Sequence, residues 1–129
     1  MTTEELIFNT NWNKKLDCDF FTSIRINNDR KFVVGNKYVI KLGKKDQPLK
    51  TYPRMAVLIA KHTINLAGIK DYMAYLDTGY NAEETKELIR KIYRFKIPNI
   101  ETKPLDYLLF GYINESSEQQ AYINFAAKN

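Results

Sequence analysis

Between residues 20 and 26 the side chains fall alternately on two faces of an extended chain. Phe20, Thr22, Ile24 and Ile26 share one face, and Phe21, Ser23 and Arg25 share the other. A period of two predicts a strand, with the greasier first set expected to face the core. Asn27-Asn28-Asp29 follows as turn chemistry, because Asn and Asp bond locally and tolerate left-handed backbone. Gly35-Asn36 is a second turn signal. Residues 37–42 then alternate again, with Tyr38, Ile40 and Leu42 opposite Lys37, Val39 and Lys41. That pattern predicts a strand with a basic outer face and Tyr38 in the core.

The remaining elements are read more coarsely. Residues 6–8 are a short apolar run suited to a first strand. Trp12 and Leu16 are four apart, the spacing of one helical face. Residues 44–50 read as a charged loop containing Pro48, with Pro53 soon after. Residues 55–59 are β-prone or simply buried, 63–66 extend them, and 67–76 hold a short helix. Asp77-Thr78-Gly79 is expected to break the chain as a loop. The clearest element spans residues 81–95. Asn81 caps it, Glu84 completes a capping box, and acids lead while bases trail along it. Its apolar stripe is Leu88, Ile89, Ile92 and Tyr93, and Pro98 stops it. Residues 105–113 form a late strand. Strands outnumber helices and long crossovers are few, so the expected class is α+β with an antiparallel, curled sheet.

Composition narrows this further. The 129 residues fit a single domain, with a core of about residues 6–113 and a polar tail, 114–129. Cys18 is the only cysteine and His62 the only histidine. No internal disulfide can form, which suits a reducing compartment, and no metal-ligand spacing is present. The longest apolar run, residues 55–60, is far shorter than a membrane span, and the N-terminus is acidic where a leader would be basic. The expectation is a cytoplasmic protein with no cofactor and no membrane partner.

Charge adds a partner class. The net charge is +5, but residues 25–54 hold nine bases against two acids. That segment carries +7 and the rest of the chain −2. Such polarity points to a polyanion-binding face built from Arg25, Arg30, Lys31, Lys37, Lys41, Lys44, Lys45, Lys50 and Arg54, with Tyr38 and Tyr52 interleaved. The plainer alternative is a solvated basic surface.

Residues 16–25, Leu-Asp-Cys-Asp-Phe-Phe-Thr-Ser-Ile-Arg, followed by a turn and Gly35-Asn36-Lys37-Tyr38-Val39-Ile40, resemble the N-terminal half of ASCH domains, small β-barrels of the PUA-like superfamily. Asp77-Thr78-Gly79-Tyr80, the helix after it and the late strand match that family's layout. The resemblance implies a PUA-like curled antiparallel or mixed barrel with about two to three helices. It also implies a cleft for RNA or a nucleotide-like ligand. The family's Gly-x-Lys-x-x-Glu-x-Arg pattern falls on Cys18, Phe20, Ser23 and Arg25. Ser23 matches members that deacetylate a modified cytidine, and Asp77 is the nearest acid to the carboxylate those members use before their C-terminal helix. Phe20 stands where the family has lysine, which argues against turnover.

Three readings follow. The leading one is an RNA- or nucleotide-binding module using the basic face and a small polar cleft with Ser23 and Arg25. The second is an amidohydrolase of an acylated nucleoside, with Ser23, Arg25 and Asp77 as candidate catalytic groups. The third is a protein-interaction domain with a degenerate site. Against these stand plain structural roles: an ordinary polar strand pair for Ser23 and Arg25, and a turn aspartate for Asp77. His62 reads as a surface residue and Trp12 as a lid on the core. Cys18, between two acids, lacks the surroundings of a nucleophile.

Overall fold

The computed structural model describes residues 3–44 and 49–113. Lys45, Pro48 and the tail 114–129 lie outside the described residues. Five strands form one sheet: β1 (Glu4–Phe8), β2 (Phe20–Ile26), β3 (Lys37–Leu42), β4 (Lys50–Ile64) and β5 (Leu105–Tyr112). Their order is β1-β3-β4-β5-β2. β1 runs parallel to β3 and every other pairing is antiparallel. The sheet curls until its edges, β1 and β2, approach each other. Phe8 and Phe21 meet across that gap edge to face, with ring centroids 5.9 Å apart. The result is an α+β half-barrel with a mixed sheet.

β4 is one continuous strand of 15 residues, starting earlier than the stretch 55–59, extended by 63–66, that the pattern marked as β-prone or buried. Its register against β3 jumps between Val39↔Met55 and Lys41↔Thr51. Pro53 sits in that irregular stretch, where a missing N–H is tolerated. A second irregularity against β5 lies between Leu58 and Ala60. Gly111 opposes this region, and a Cβ there would meet Ile59 at 2.8 Å and Phe20 at 2.9 Å. Only glycine allows both side chains to close over β5 at that point.

Two apolar layers sandwich the sheet. The barrel interior holds Leu6, Phe8, Leu16, Phe21, Tyr38, Ile40, Leu58, Leu108, Phe110 and Tyr112. The outer face is covered by Leu66, Ile69, Ala74, Ala82, Ile89 and Ile100, packed on Ile24, Ile26, Ile64 and Leu105. This corrects the facing expected for β2. Phe21, not the Phe20 set, points into the barrel, and Ser23 and Arg25 share that inward face. Ile24 and Ile26 meet the helices, and Phe20 is exposed. A strand buried on both sides has no solvent face for its alternation to report.

α1 (Asp71–Thr78) and α2 (Ala82–Tyr93) provide most of the cover, with short 3-10 segments at Trp12–Asp17 and Leu66–Gly68. The helix expected over 67–76 starts later and runs through Asp77 and Thr78. Gly79, at φ +84°, ends it in the left-handed C-cap. Thr78 Oγ1 donates to Ala74 O and lies 2.8 Å from Thr85 Oγ1, tying α1 to α2. α2 carries the expected capping box: Glu84 N donates to Asn81 Oδ1 at 2.9 Å, and the Glu84 side chain accepts from Asn81 N.

Candidate functional site

A cleft of about 160 Å³ opens at the seam between the sheet edges. The end of β1 gives Ile7, Phe8, Asn9 and Thr10, and β2 gives Ser23, Ile24 and Arg25. The helices add Asp77, Thr78, Thr85, Leu88, Ile89, Ile92 and Tyr93, while the Trp12–Asp17 segment adds Trp12 and Lys15. Ser23 and Arg25 on β2 therefore share one cavity with Asp77, which is far from them in sequence.

Asp77 is no turn aspartate. It lies in the last turn of α1, buried, where the helix dipole disfavours a negative charge. Lys15 offsets this, its Nζ donating to Asp77 Oδ1 at 2.8 Å with both side chains under 10% exposed. Thr22 Oγ1 donates to the same oxygen at 3.2 Å. Burial pushes the Lys15 ammonium below its ordinary pKa, and the attraction of Asp77 opposes that shift.

Lys15 reaches the cleft through unusual backbone. Asn13 and Lys14 both take left-handed conformations, φ 56° and 53°. Such backbone costs energy in residues with a Cβ, and surrounding bonds must hold it. Asn11 Oδ1 accepts from Leu16 N at 2.8 Å, Asn13 Nδ2 donates to Tyr75 O, and Tyr112 Oη donates to Leu16 O at 2.8 Å. Asn13 also lies 3.3 Å from where a Cβ on Gly79 would stand. The helix-ending glycine thus makes room for the segment that delivers Lys15.

Arg25 is equally constrained. Its Nε donates to Ser23 Oγ at 2.9 Å and its Nη2 to Ile7 O at 2.9 Å. The guanidinium lies 4.4 Å over the Phe8 ring, and Lys15 Nζ lies 5.4 Å from the same centroid. Burial pushes the Arg25 pKa down from its ordinary value. Two cations and one carboxylate line the cavity, leaving one excess positive charge. Such a site favours an anion or an electron-rich carbonyl.

The other expected binding residues do not gather here. Arg30, Lys31, Lys37, Lys41, Lys44, Lys50 and Arg54 are all absent from the lining. Lys41 pairs with Glu5 and Arg54 with Asp19, while Lys50 lies over Tyr52 and Lys31 near Phe32. Arg30, Lys37 and Lys44 are exposed, and Lys45 is outside the described residues. Trp12 is half-buried at the rim, edge-on to Tyr80 with centroids 5.9 Å apart, rather than a lid on the core. His62 and Cys18 are exposed. No group of three His, Cys, Asp or Glu suited to a metal occurs among the described residues, and no described helix is long and apolar enough to cross a membrane.

Lys15 is the charged cleft residue that the sequence pattern does not single out. It sits in Asn13-Lys14-Lys15, where no periodicity separates an exposed lysine from a buried one. Comparison with known proteins finds no matching family model, no matching curated protein and no matching solved structure.

Proposed function

We propose that this chain recognises a nucleotide-like ligand, with a base-sized, carbonyl-bearing group entering the seam cleft. The excess positive charge inside a mostly apolar cavity carries the reading. Arg25 and Lys15 can donate to ligand oxygens, while Asp77 and Ser23 accept from exocyclic N–H groups. The wall of Ile24, Leu88 and Ile89 suits a flat ring. The resemblance to ASCH domains of the PUA-like superfamily supports the same reading, since Ser23 and Arg25 of the matched strand line the cleft. The expected setting is the cytoplasm, in keeping with the unpaired Cys18. Amide NMR titration with nucleosides and nucleotides tests it. Shifts confined to cleft residues and lost in Lys15→Met support it, and shifts scattered over the basic strands overturn it.

One observation favours a second reading, hydrolysis of an acylated nucleoside amide. Phe20 leaves the family's lysine position without an amine, but Lys15 brings one into the cavity beside Asp77. Water would add to the acyl carbon with its proton passing to Asp77. The C–N bond then breaks, the amine leaves with that proton returned by Asp77, and the carboxylic acid product gives its remaining proton to water. Acetate release from an N-acetylated cytidine, absent in Asp77→Asn, is the measurement. No release by the wild type removes this reading.

A further inference from the structure

The cleft is small. At about 160 Å³ it falls below the roughly 300–1,000 Å³ typical of pockets that enclose a whole ligand. A nucleotide seated there must leave much of itself outside, over the rim. The end of α2, where the chain runs on from the cleft, is distinctive. Ile92 and Tyr93 line the cleft, and Ile92 is itself 56% exposed. Phe95, three residues beyond Ile92, is 90% exposed, the most exposed large hydrophobic side chain among the described residues. It stands between two exposed cations, Arg94 and Lys96, with Arg94 Cζ 5.9 Å from its ring centroid. Exposed Lys91 lies one turn back on α2.

An exposed aromatic ring with a cation on either side of it in sequence suits a ligand that carries both bases and phosphates. Bases stack on the ring whatever their identity, and the cations track the phosphates between them. We propose that the ligand is a single-stranded nucleic acid, one base entering the seam cleft and its neighbour stacking on Phe95, with Lys91, Arg94 and Lys96 meeting the backbone. This rests on the nucleotide reading above and extends it from a monomer to a strand. It also places the polyanion contacts at the end of α2 instead of along residues 25–54.

The test compares a labelled single-stranded RNA hexamer with a mononucleotide, by anisotropy and NMR respectively. Phe95→Ala is expected to weaken hexamer binding about tenfold, the loss of one stacked base. Mononucleotide binding in the cleft, which Phe95 does not line, stays unchanged. Arg94→Ala with Lys96→Ala is expected to flatten the salt dependence of hexamer binding. Circular dichroism of each variant checks that the fold is intact. Hexamer binding unaffected by Phe95→Ala, beside normal mononucleotide binding, overturns this inference and leaves the nucleotide reading standing. A wild-type protein that binds the mononucleotide but not the hexamer at low salt overturns it equally. Loss of binding to both overturns the two together.

Discussion

Arg25 on β2 donates to the backbone carbonyl of Ile7 on β1, 2.9 Å away, so one side chain spans the gap between the two edges of the sheet. The same guanidinium fixes Ser23 and covers Phe8. Arg25 thus closes the seam as well as lining the cleft. Arg25→Ala is expected to lower stability by about 1.5–3 kcal/mol, the range for hydrogen bonds to a charged group. It should abolish ligand-induced shifts at the same time. Arg25→Lys keeps the charge without the planar fork and should recover under half of the loss. Urea denaturation midpoints with NMR titration check both effects.

The Lys15–Asp77 pair makes a sharper prediction. Lys15→Met leaves Asp77 buried with Thr22 as its one remaining side-chain hydrogen-bond donor among the described residues, and should cost about 3–5 kcal/mol. Adding Asp77→Leu removes the stranded charge and should restore most of that stability while leaving the cleft inert. A double-mutant cycle by thermal or urea unfolding measures the coupling. A double variant that costs the sum of the two single variants would show that the pair is not coupled.

Gly79 is predicted to matter through its neighbour. With φ at +84° and Asn13 against its open side, Gly79→Ala meets both backbone strain and a close contact. A loss of about 1–2 kcal/mol is expected from the left-handed backbone. Amide shifts at residues 13–16 should move further than those elsewhere, because Asn13 must give way. Chemical-shift mapping of the variant decides this.

Alkaline pH should destabilise the fold. Burial pushes the phenols of Tyr38, Tyr52, Tyr107 and Tyr112 above their ordinary values. A group whose native pKa is raised contributes stability that is complete below its unfolded value and is lost as pH climbs toward the native one. Above about pH 10, the ordinary phenol value, the unfolded chain releases protons that the native chain retains. Lys15 works in the opposite sense, and its contribution is complete by about pH 10.4. Unfolding midpoints should therefore fall between pH 10 and 11. Tyr112→Phe, which removes the most strongly raised phenol, should blunt that fall while losing the bond to Leu16 O.

The elements with a solvent face were legible in the chain. Residues 37–42 showed their alternation because β3 has one wet side, and α2 announced itself through its capping box and charge gradient. Residues 20–26 gave the strand but not its facing, because helices cover one side and barrel the other. Ser23 and Arg25 were found as candidates through the matched strand motif, although their inward orientation was not. Asp-Thr-Gly is turn chemistry and so points to a turn at Asp77, yet of the three only Gly79 leaves helical backbone. Lys15 left no signal at all. A lysine is buried here because a carboxylate 62 positions away requires it, and pattern carries no record of that distance.

The strand order also dictates when the protein can form. β2 pairs only with β5, and Asn27 just beyond it bonds Asp106, a partner 79 residues downstream. Asp106 is fully buried and collects Asn27, Asn28 N and Thr63 Oγ1 around its carboxylate. During synthesis the Phe20–Ile26 segment thus leaves the ribosome with no strand to lie against, its apolar side chains waiting until Leu105–Tyr112 emerges. Such long-range closure makes folding slow, and the nascent chain meanwhile offers an unmatched edge to whatever is near.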